Sequence, residues 1–316
     1  MPCSIMSCLN PIWMYDTGRV SSNGKRVFST KCNPRLPFES SGIPVPCGKC
    51  AECKRARAAQ WAARMRLETF SSPSASFITL TYADNPKNLI KEHIQRFLKR
   101  LRNAPRDFSV PPFNLRYFVA GEYGSKRSRP HWHGIMFGVD MLSEPWQSSM
   151  AIIKDGFPVY TSKVLEQIWS YGFVTVDRAN DVNCKYVSKY ITKDGSCCLH
   201  SQGLGRSPFV SVIRCGRSVQ YHIKNLFRDT LDNGLLFIPD RRGLSPIGIP
   251  KDFDRYLERC EPSLFERVKA RRSEFVRNLP FDRYSVGERL SISNHADMLK
   301  QNQKGVLHEQ DYVCDS

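Results

Sequence analysis

Hydrophobic residues first recur at helical spacing after residue 51. From Glu52 to Phe70, Ala58, Trp61, Ala62 and Met65 share one stripe while Arg57 and Arg64 share another, which predicts a helix. Ser71 to Ser76 breaks the pattern, and Phe77-Ile78-Thr79-Leu80-Thr81-Tyr82 then reads as a buried strand closed by Asn85-Pro86. Ile94, Phe97, Leu98 and Leu101 return to helical spacing with Lys99, Arg100 and Arg102 among them, and Pro105 is expected to stop the run. Leu115 to Gly121 reads as a strand, Gly124 to Pro130 as a basic loop, and His131 to Phe137 as the antiparallel return. A helix from about Ser162 to Trp169, ended near Gly172, leads into a strand at Phe173 to Val176, and Asp181 opens a helix running to about Lys193.

This order of α, β, α, β, β, α, β, α predicts an α+β fold built on one mostly antiparallel sheet with flanking helices. Residues 1 to 50 are rich in Pro, Gly, Ser and Cys without sustained periodicity, so irregular backbone is expected there. Beyond residue 205 the pattern thins to a strand at Phe209 to Arg214 and charged helical stretches from Asp252 to Val276. The expected division is a Cys-rich segment over 1–53, a core over 54–205, and an accessory, partly helical C-terminal region over 206–316.

Charge changes the picture, because 47 Lys+Arg against 30 Asp+Glu leave a formal +17 over 316 residues. Such an excess calls for a polyanionic partner, either nucleic acid or an anionic membrane surface. With 41% hydrophobic and 11% aromatic residues, a wholly disordered chain is excluded. No run approaches the roughly eighteen apolar residues of a membrane span. The N-terminus lacks a basic start and a long apolar core, so no secretory signal is expected and the cysteines should stay reduced.

Six of the twelve cysteines fall within the first 53 residues, and Cys47, Cys50 and Cys53 form a C-x2-C-x2-C run directly before the first helix. Three such thiolates, with Cys3, Cys8 and Cys32 upstream, fit a tetrahedral structural zinc that would tie irregular backbone to the helix. Cys32 is entertained as the fourth ligand, with the choice among the upstream cysteines open. An iron–sulfur cluster and unliganded thiols are the alternatives.

In His131-Trp132-His133, strand alternation projects both imidazoles from one face. Glu122, at the end of the preceding strand, would be brought beside them by the antiparallel return. Two imidazoles and a carboxylate leave open positions on a Mg²⁺ or Mn²⁺ for a substrate oxygen. The plainer reading is two packed or exposed histidines and a solvated carboxylate. Tyr186 and Tyr190 lie four apart, one helical turn, with Lys185, Lys189 and Lys193 on the adjacent face. Those cations could hold a phosphodiester and favour the phenolate, and the plainer reading of the pair alone is two tyrosines packed against a sheet. Lys126, Arg127 and Arg129 adjoin the histidines and could bind phosphates, as could Lys54, Arg55, Arg57, Arg64 and Arg66 on the first helix. No P-loop is present, so ATP-driven unwinding is not expected of this chain.

In order and approximate spacing, the strand at 77–82, Glu122 with His131 and His133, and Tyr186-x3-Tyr190 with Lys189 resemble the three motifs of HUH endonucleases that initiate rolling-circle replication. The strings Pro46-Cys47-Gly48-Lys49-Cys50, Trp61-Ala62-Ala63-Arg64, Thr79-Leu80-Thr81-Tyr82, Gly121-Glu122-Tyr123-Gly124 and Arg129-Pro130-His131-Trp132-His133 resemble the replication initiators of small single-stranded DNA phages. The nearest branch is the gokushovirus or chlamydiamicrovirus group of the Microviridae, and the resemblance covers residues 45 to 195. It implies a ferredoxin-like or RRM-like sheet with the histidines on a central strand and the tyrosine helix lying across the metal. By resemblance His131, His133 and Glu122 bind Mg²⁺ or Mn²⁺, Tyr186 and Tyr190 are nucleophiles, and Lys189 assists. The implied activity is nicking of a viral origin through a 5′-phosphotyrosine, priming from the free 3′-hydroxyl, and rejoining of the displaced strand into a circle. The implied partners are single-stranded and replicative-form viral DNA with the host helicase and polymerase, in the host bacterial cytoplasm and with no membrane. Competing readings are a noncatalytic zinc-containing nucleic-acid-binding protein and an HUH relaxase or transposase.

Overall fold

The computed structural model describes residues 8–31, 43–84, 86–124, 129–154, 157–192, 197–202, 204, 235–240 and 243–278. The chain divides into two compact units, Arg55–Glu274 with Met1–Pro2, and Cys3–Lys54 with Phe275–Ser316.

The smaller unit holds a three-stranded sheet, β1 (Ile12–Val20), β2 (Arg26–Ser29) and β3 (Ile43–Val45), with β1 in the middle and both pairings antiparallel. Irregular backbone was the expectation here. The sheet escapes sequence reading because Ile12, Trp13 and Val20 are exposed, so no buried alternation marks β1.

The larger unit contains the body of α1 (Ala51–Ser71), then β4 (Ala75–Tyr82), α2 (Lys91–Asp107), β5 (Arg116–Tyr123), β6 (Pro130–Phe137), β7 (Ser148–Lys154), β8 (Phe157–Ser162), α3 (Lys163–Trp169), β9 (Gly172–Arg178), α4 (Asp181–Ser188) and β10 (Cys197–His200). The strands form one seven-stranded sheet in the order β10-β5-β6-β4-β9-β8-β7, antiparallel at every pairing. The expected α+β architecture with an antiparallel sheet and flanking helices is therefore present. The β7–β8 hairpin and β10 widen the sheet beyond the four strands that periodicity marked.

The period of two divides each strand between two faces. Ile78, Leu80, Tyr82, Trp132, Met136, Val174 and Val176 point to one face, where Ile94, Phe97, Leu98 and Leu101 of α2 and Leu165, Ile168 and Trp169 of α3 cover them. At Gly121 a Cβ would sit 2.9 Å from the Trp132 ring, so the missing side chain lets the indole lie over β5. On the opposite face Phe118, Ala120, Ile135 and Phe137 pack under Met65 of α1 and Cys184 and Val187 of α4. His131, His133 and Glu122 share this second face at its open end.

Two helix ends differ from expectation. Pro105 lies inside the last turn of α2, which continues to Asp107. Helix α4 stops at Ser188, and residues Lys189–Thr192 tighten into a 3₁₀ turn. The charged C-terminal stretches are helical as expected, in α5 (Lys251–Cys260) and α6 (Pro262–Asn278), joined by a two-bond Arg272–Asp254 pair at 3.0 and 2.9 Å. They follow a hairpin of β11 (Leu235–Asp240) and β12 (Gly243–Gly248). The strand expected at Phe209 to Arg214 lies outside the described residues.

Candidate metal and nucleophile site

Register alone assembles the first group. Antiparallel pairing of β5 with β6 sets Glu122 opposite His131, and pairing of β4 with β6 sets Thr79 opposite His133. The Glu122 carboxylate oxygen Oε1 lies 2.9 Å from His131 Nε2 and 3.1 Å from His133 Nε2. Glu122 and His133 are buried.

The tautomers follow from the remaining nitrogens. His131 Nδ1 is 3.0 Å from the backbone carbonyl of Arg129, and a carbonyl only accepts, so Nδ1 carries a proton and Nε2 is the nitrogen left for a cation. His133 Nδ1 is 3.0 Å from the Thr79 hydroxyl, which can hold that ring in the same sense. Each Nε2 thus faces a carboxylate oxygen, a contact that holds only with a proton or a cation between the two atoms. The donor set fits a divalent cation, with two imidazoles, one carboxylate and open positions. Sequence spacing pointed to these three side chains; Thr79 and the Arg129 carbonyl, which contact the ring nitrogens, were missed and are visible only once strands are paired.

Helix α4 brings the phenols. Its N-cap Asn180 accepts from Val182 and Asn183 backbone N–H groups and closes a reciprocal capping box. An ion pair of 2.6 Å joins Asp181 to Arg66 of α1. The Tyr186 hydroxyl lies 3.4 Å from Glu122 Oε1 and 3.3 Å from His133 Nε2. Tyr190 stacks on His133, with ring centroids 5.6 Å apart and planes 14° from parallel. Although Tyr190 belongs to the 3₁₀ turn, the two phenols still meet. Burial, and then the charge of Glu122, raise the Tyr186 phenol above its usual value. Burial raises Tyr190 as well, helped by its contact with Tyr186. Both phenols thus lie shifted away from the phenolate that the lysine stripe is expected to favour, with burial the largest cause.

Of the cations expected to meet phosphate, Lys185, Lys189 and Arg129 are exposed, and Lys185 lies 3.8 Å from Asp181. Lys126, Arg127 and Lys193 lie outside the described residues. Two arginines of α1 face inward. Arg66 is buried against Asp181, and Arg64 lies over the Trp61 ring while donating to the Leu204 carbonyl. Neither is a free phosphate contact.

The smaller unit carries the second group. Cys8, Cys47, Cys50 and Cys53 place their sulfurs within 4.8 Å of one another, with Cys8–Cys50 at 3.9 Å and Cys47–Cys53 at 4.0 Å. Tetrahedral zinc with bonds of about 2.3 Å separates its sulfurs by about 3.8 Å. Gly48 adopts a φ of 74°, which turns the backbone so that the Lys49 and Cys50 N–H groups donate to Cys47 Sγ. Those two donors, Cys50 first, bring the Cys47 thiol down to about 6. Burial raises Cys8, to which the Cys47 N–H donates at 3.3 Å. Cys32 lies outside the described residues, and Cys8 stands in the fourth position.

No helix among the described residues is long and apolar enough to cross a membrane. A family model described as Replication-associated protein ORF2/G2P matches residues 75–195. The chain is 28% identical over 316 residues to the Replication-associated protein ORF2 of Spiroplasma virus 4, covering 95% of this chain and 94% of that protein. It is 37% identical over 156 residues to the Replication-associated protein ORF4 of Chlamydia phage 1, covering 48% of this chain and 38% of that one. It is 29% identical over 197 residues to the Replication-associated protein VP4 of Bdellovibrio phage phiMH2K, covering 60% and 58% respectively. No solved structure matches the chain.

Proposed function

We propose, from a chain that belongs to the Microviridae-type replication-associated proteins, that it is an HUH endonuclease: a metal-dependent, origin-specific nuclease and strand-joining enzyme acting through a 5′-phosphotyrosine. The observation that carries this reading is the Tyr186 hydroxyl, 3.4 Å from Glu122 Oε1 and 3.3 Å from His133 Nε2, because it sets a nucleophile against a site suited to a cation. A Mg²⁺ or Mn²⁺ held by Glu122, His131 and His133 would polarise the scissile phosphate and stabilise its transition-state charge.

The chain's own groups do the rest. The Tyr186 hydroxyl donates toward Glu122, which orients its oxygen for in-line attack on phosphorus. The new O–P bond forms as the P–O3′ bond breaks, the phenol gives up its proton, and the leaving 3′-oxygen is protonated to the hydroxyl that primes the host polymerase. Tyr190, stacked on His133, serves the second cut, after which a 3′-hydroxyl attacks the phosphotyrosine, frees the phenol and closes the circle. Lys189, Lys185 and Arg129 hold the phosphodiester backbone, together with Lys126, Arg127 and Lys193. In this reading the endonuclease occupies 54–205, the Cys-rich segment 1–53 is held by zinc through Cys8, Cys47, Cys50 and Cys53, and 206–316 is an accessory region. The setting is the host bacterial cytoplasm, with viral single-stranded and replicative-form DNA and the host helicase and polymerase as partners.

The test is incubation of the purified protein with labelled origin single strand in Mn²⁺ or EDTA, followed by denaturing electrophoresis. A metal-dependent, SDS-resistant protein–DNA band, lost in the Tyr186→Phe/Tyr190→Phe double variant, is expected. Retarded DNA on a native gel with no covalent band under any cation would leave only the noncatalytic binding protein.

A further inference from the structure

The face that carries the metal group is covered unevenly. Over β5 and β6, Phe118, Ala120, Ile135 and Phe137 are roofed by α1 and α4. Beyond β6 the same face continues through Thr79 and Thr81 of β4 to Phe173 and Thr175 of β9, placed by the pairings Thr79↔Thr175 and Thr81↔Phe173. The three threonines are only half-buried, and the Phe173 ring is 62% exposed. The opposite-facing neighbours Ile78, Leu80, Val174 and Val176 are fully packed, so the exposure belongs to one face of the strands.

Position gives this ring a role. Thr81 pairs with Phe173 on one side and with His131 on the other, so Phe173 lies two strands from a metal-binding imidazole. At the usual strand spacing that is about 10 Å, within reach of a nucleotide neighbouring one held at the metal. The backbone beside the ring is also closely packed. Gly172 has a φ of 149°, and a Cβ there would lie 2.4 Å from the Thr81 carbonyl, so the backbone beside Phe173 is set directly against β4. We infer that Phe173 is a base-stacking platform, on which a nucleobase of the single strand lies while its neighbouring phosphate occupies the metal site.

A nucleobase suits this surface better than a protein partner. One ring among threonine hydroxyls offers far less than the roughly 800 Å² per side of a stable protein interface. A base needs only the π-face, with hydroxyls available to its edges, and the chain's +17 charge draws in the polyanion that carries it. The inference rests on the single-strand endonuclease reading and adds a contact that holds the strand without regard to the cut itself.

The test uses the full, metal-loaded chain with a fluorescently labelled 12-nucleotide oligothymidine, which lacks the origin sequence and so is not cut, and the same sugar–phosphate strand lacking bases. Fluorescence anisotropy is read at several salt concentrations. Phe173→Ala should weaken oligothymidine binding about five- to a hundredfold, while Phe173→Trp stays within about twofold, because stacking needs only an aromatic face. The salt slope should not change, since no charge is removed. On the strand without bases, wild type and Phe173→Ala should bind alike. Equal binding of oligothymidine by wild type and Phe173→Ala would overturn the stacking role and leave the single-strand reading intact. Failure of the wild type to bind either oligothymidine or the origin single strand would overturn both. A concentration-dependent dimer in sedimentation velocity that Phe173→Ala abolishes, with DNA affinity unchanged, would assign the ring to a second copy of the chain instead.

Discussion

Tyr186 and Tyr190 meet edge to face, with ring centroids 5.1 Å apart and planes at 88°, but Tyr186 is 37% exposed and Tyr190 only 4%. The pair is unequal in access although its members are interchangeable in chemistry. Of the two rings, Tyr186 is the one open to solvent.

The first nick should therefore depend on Tyr186. Tyr186→Phe is expected to slow nicking of a labelled origin strand by at least about a hundredfold, because the ring remains and only the nucleophilic oxygen is lost. Tyr190→Phe should leave that nick within about threefold of wild type yet abolish strand joining. Gel assays that separate nicked from circularised product check both, and equal loss of the nick in the two variants would count against this order.

Metal affinity should depend on ring orientation as well as on the ligands. Thr79→Val removes the hydroxyl 3.0 Å from His133 Nδ1 and is expected to weaken Mn²⁺ binding about tenfold. Glu122→Gln, which removes the charge facing both imidazoles, should weaken it further. Electron paramagnetic resonance of free Mn²⁺ during titration gives both affinities, and an unchanged value for Thr79→Val would remove that residue from the site.

The thiols should separate by pH. In metal-stripped protein Cys47, brought down to about 6 by backbone donors, is a thiolate at pH 7, and its alkylation by iodoacetamide should fall as pH drops through about 6. Cys184, pushed up to about 12 chiefly by burial, should stay unmodified at pH 8. Zinc should protect Cys47. Mass spectrometry of the alkylated peptides follows all three, and equal labelling of Cys47 with and without zinc would argue against the four-thiol site.

Helix α4 should depend on the Arg66–Asp181 pair for its place on the sheet. Asp181→Ala leaves a buried guanidinium without this carboxylate and is expected to cost about 3 kcal/mol. Replacing both partners, as Arg66→Met/Asp181→Leu, should recover part of the loss. Urea unfolding measures the difference; an unchanged midpoint for Asp181→Ala would show that the pair does not hold the helix.

Much of the fold was legible because its signals are local. The apolar and β-branched run of β4, the α2 stripe and the β5–β6 hairpin each lie within a few residues of chain, and all three are present in the structure. The β7–β8 hairpin was not legible. Met150 and Ile153 of β7 are exposed, so these apolar residues do not mark a buried face. Arg64 and Arg66 were misread for the opposite reason. Spacing shows that they share a helix with other cations, but their direction depends on Trp61, Asp181 and Leu204, which reach them through packing.

The sequence by itself determined the chemical types and their local geometry: two imidazoles on one strand face, a carboxylate across a hairpin, two phenols four residues apart, three thiols running into the first turn of a helix, and a charge that calls for a polyanion. Spacing acts over a few residues, so it settles which groups a strand or turn presents together. Tertiary structure decided which distant groups complete them. Cys8 closes the thiol group from 39 residues before Cys47, Thr79 reaches His133 through the β4–β6 pairing, and unequal burial sets Tyr186 apart from Tyr190. Each of these depends on the register of paired strands and on what packs over them, which residues far apart in the chain fix jointly and no short segment encodes.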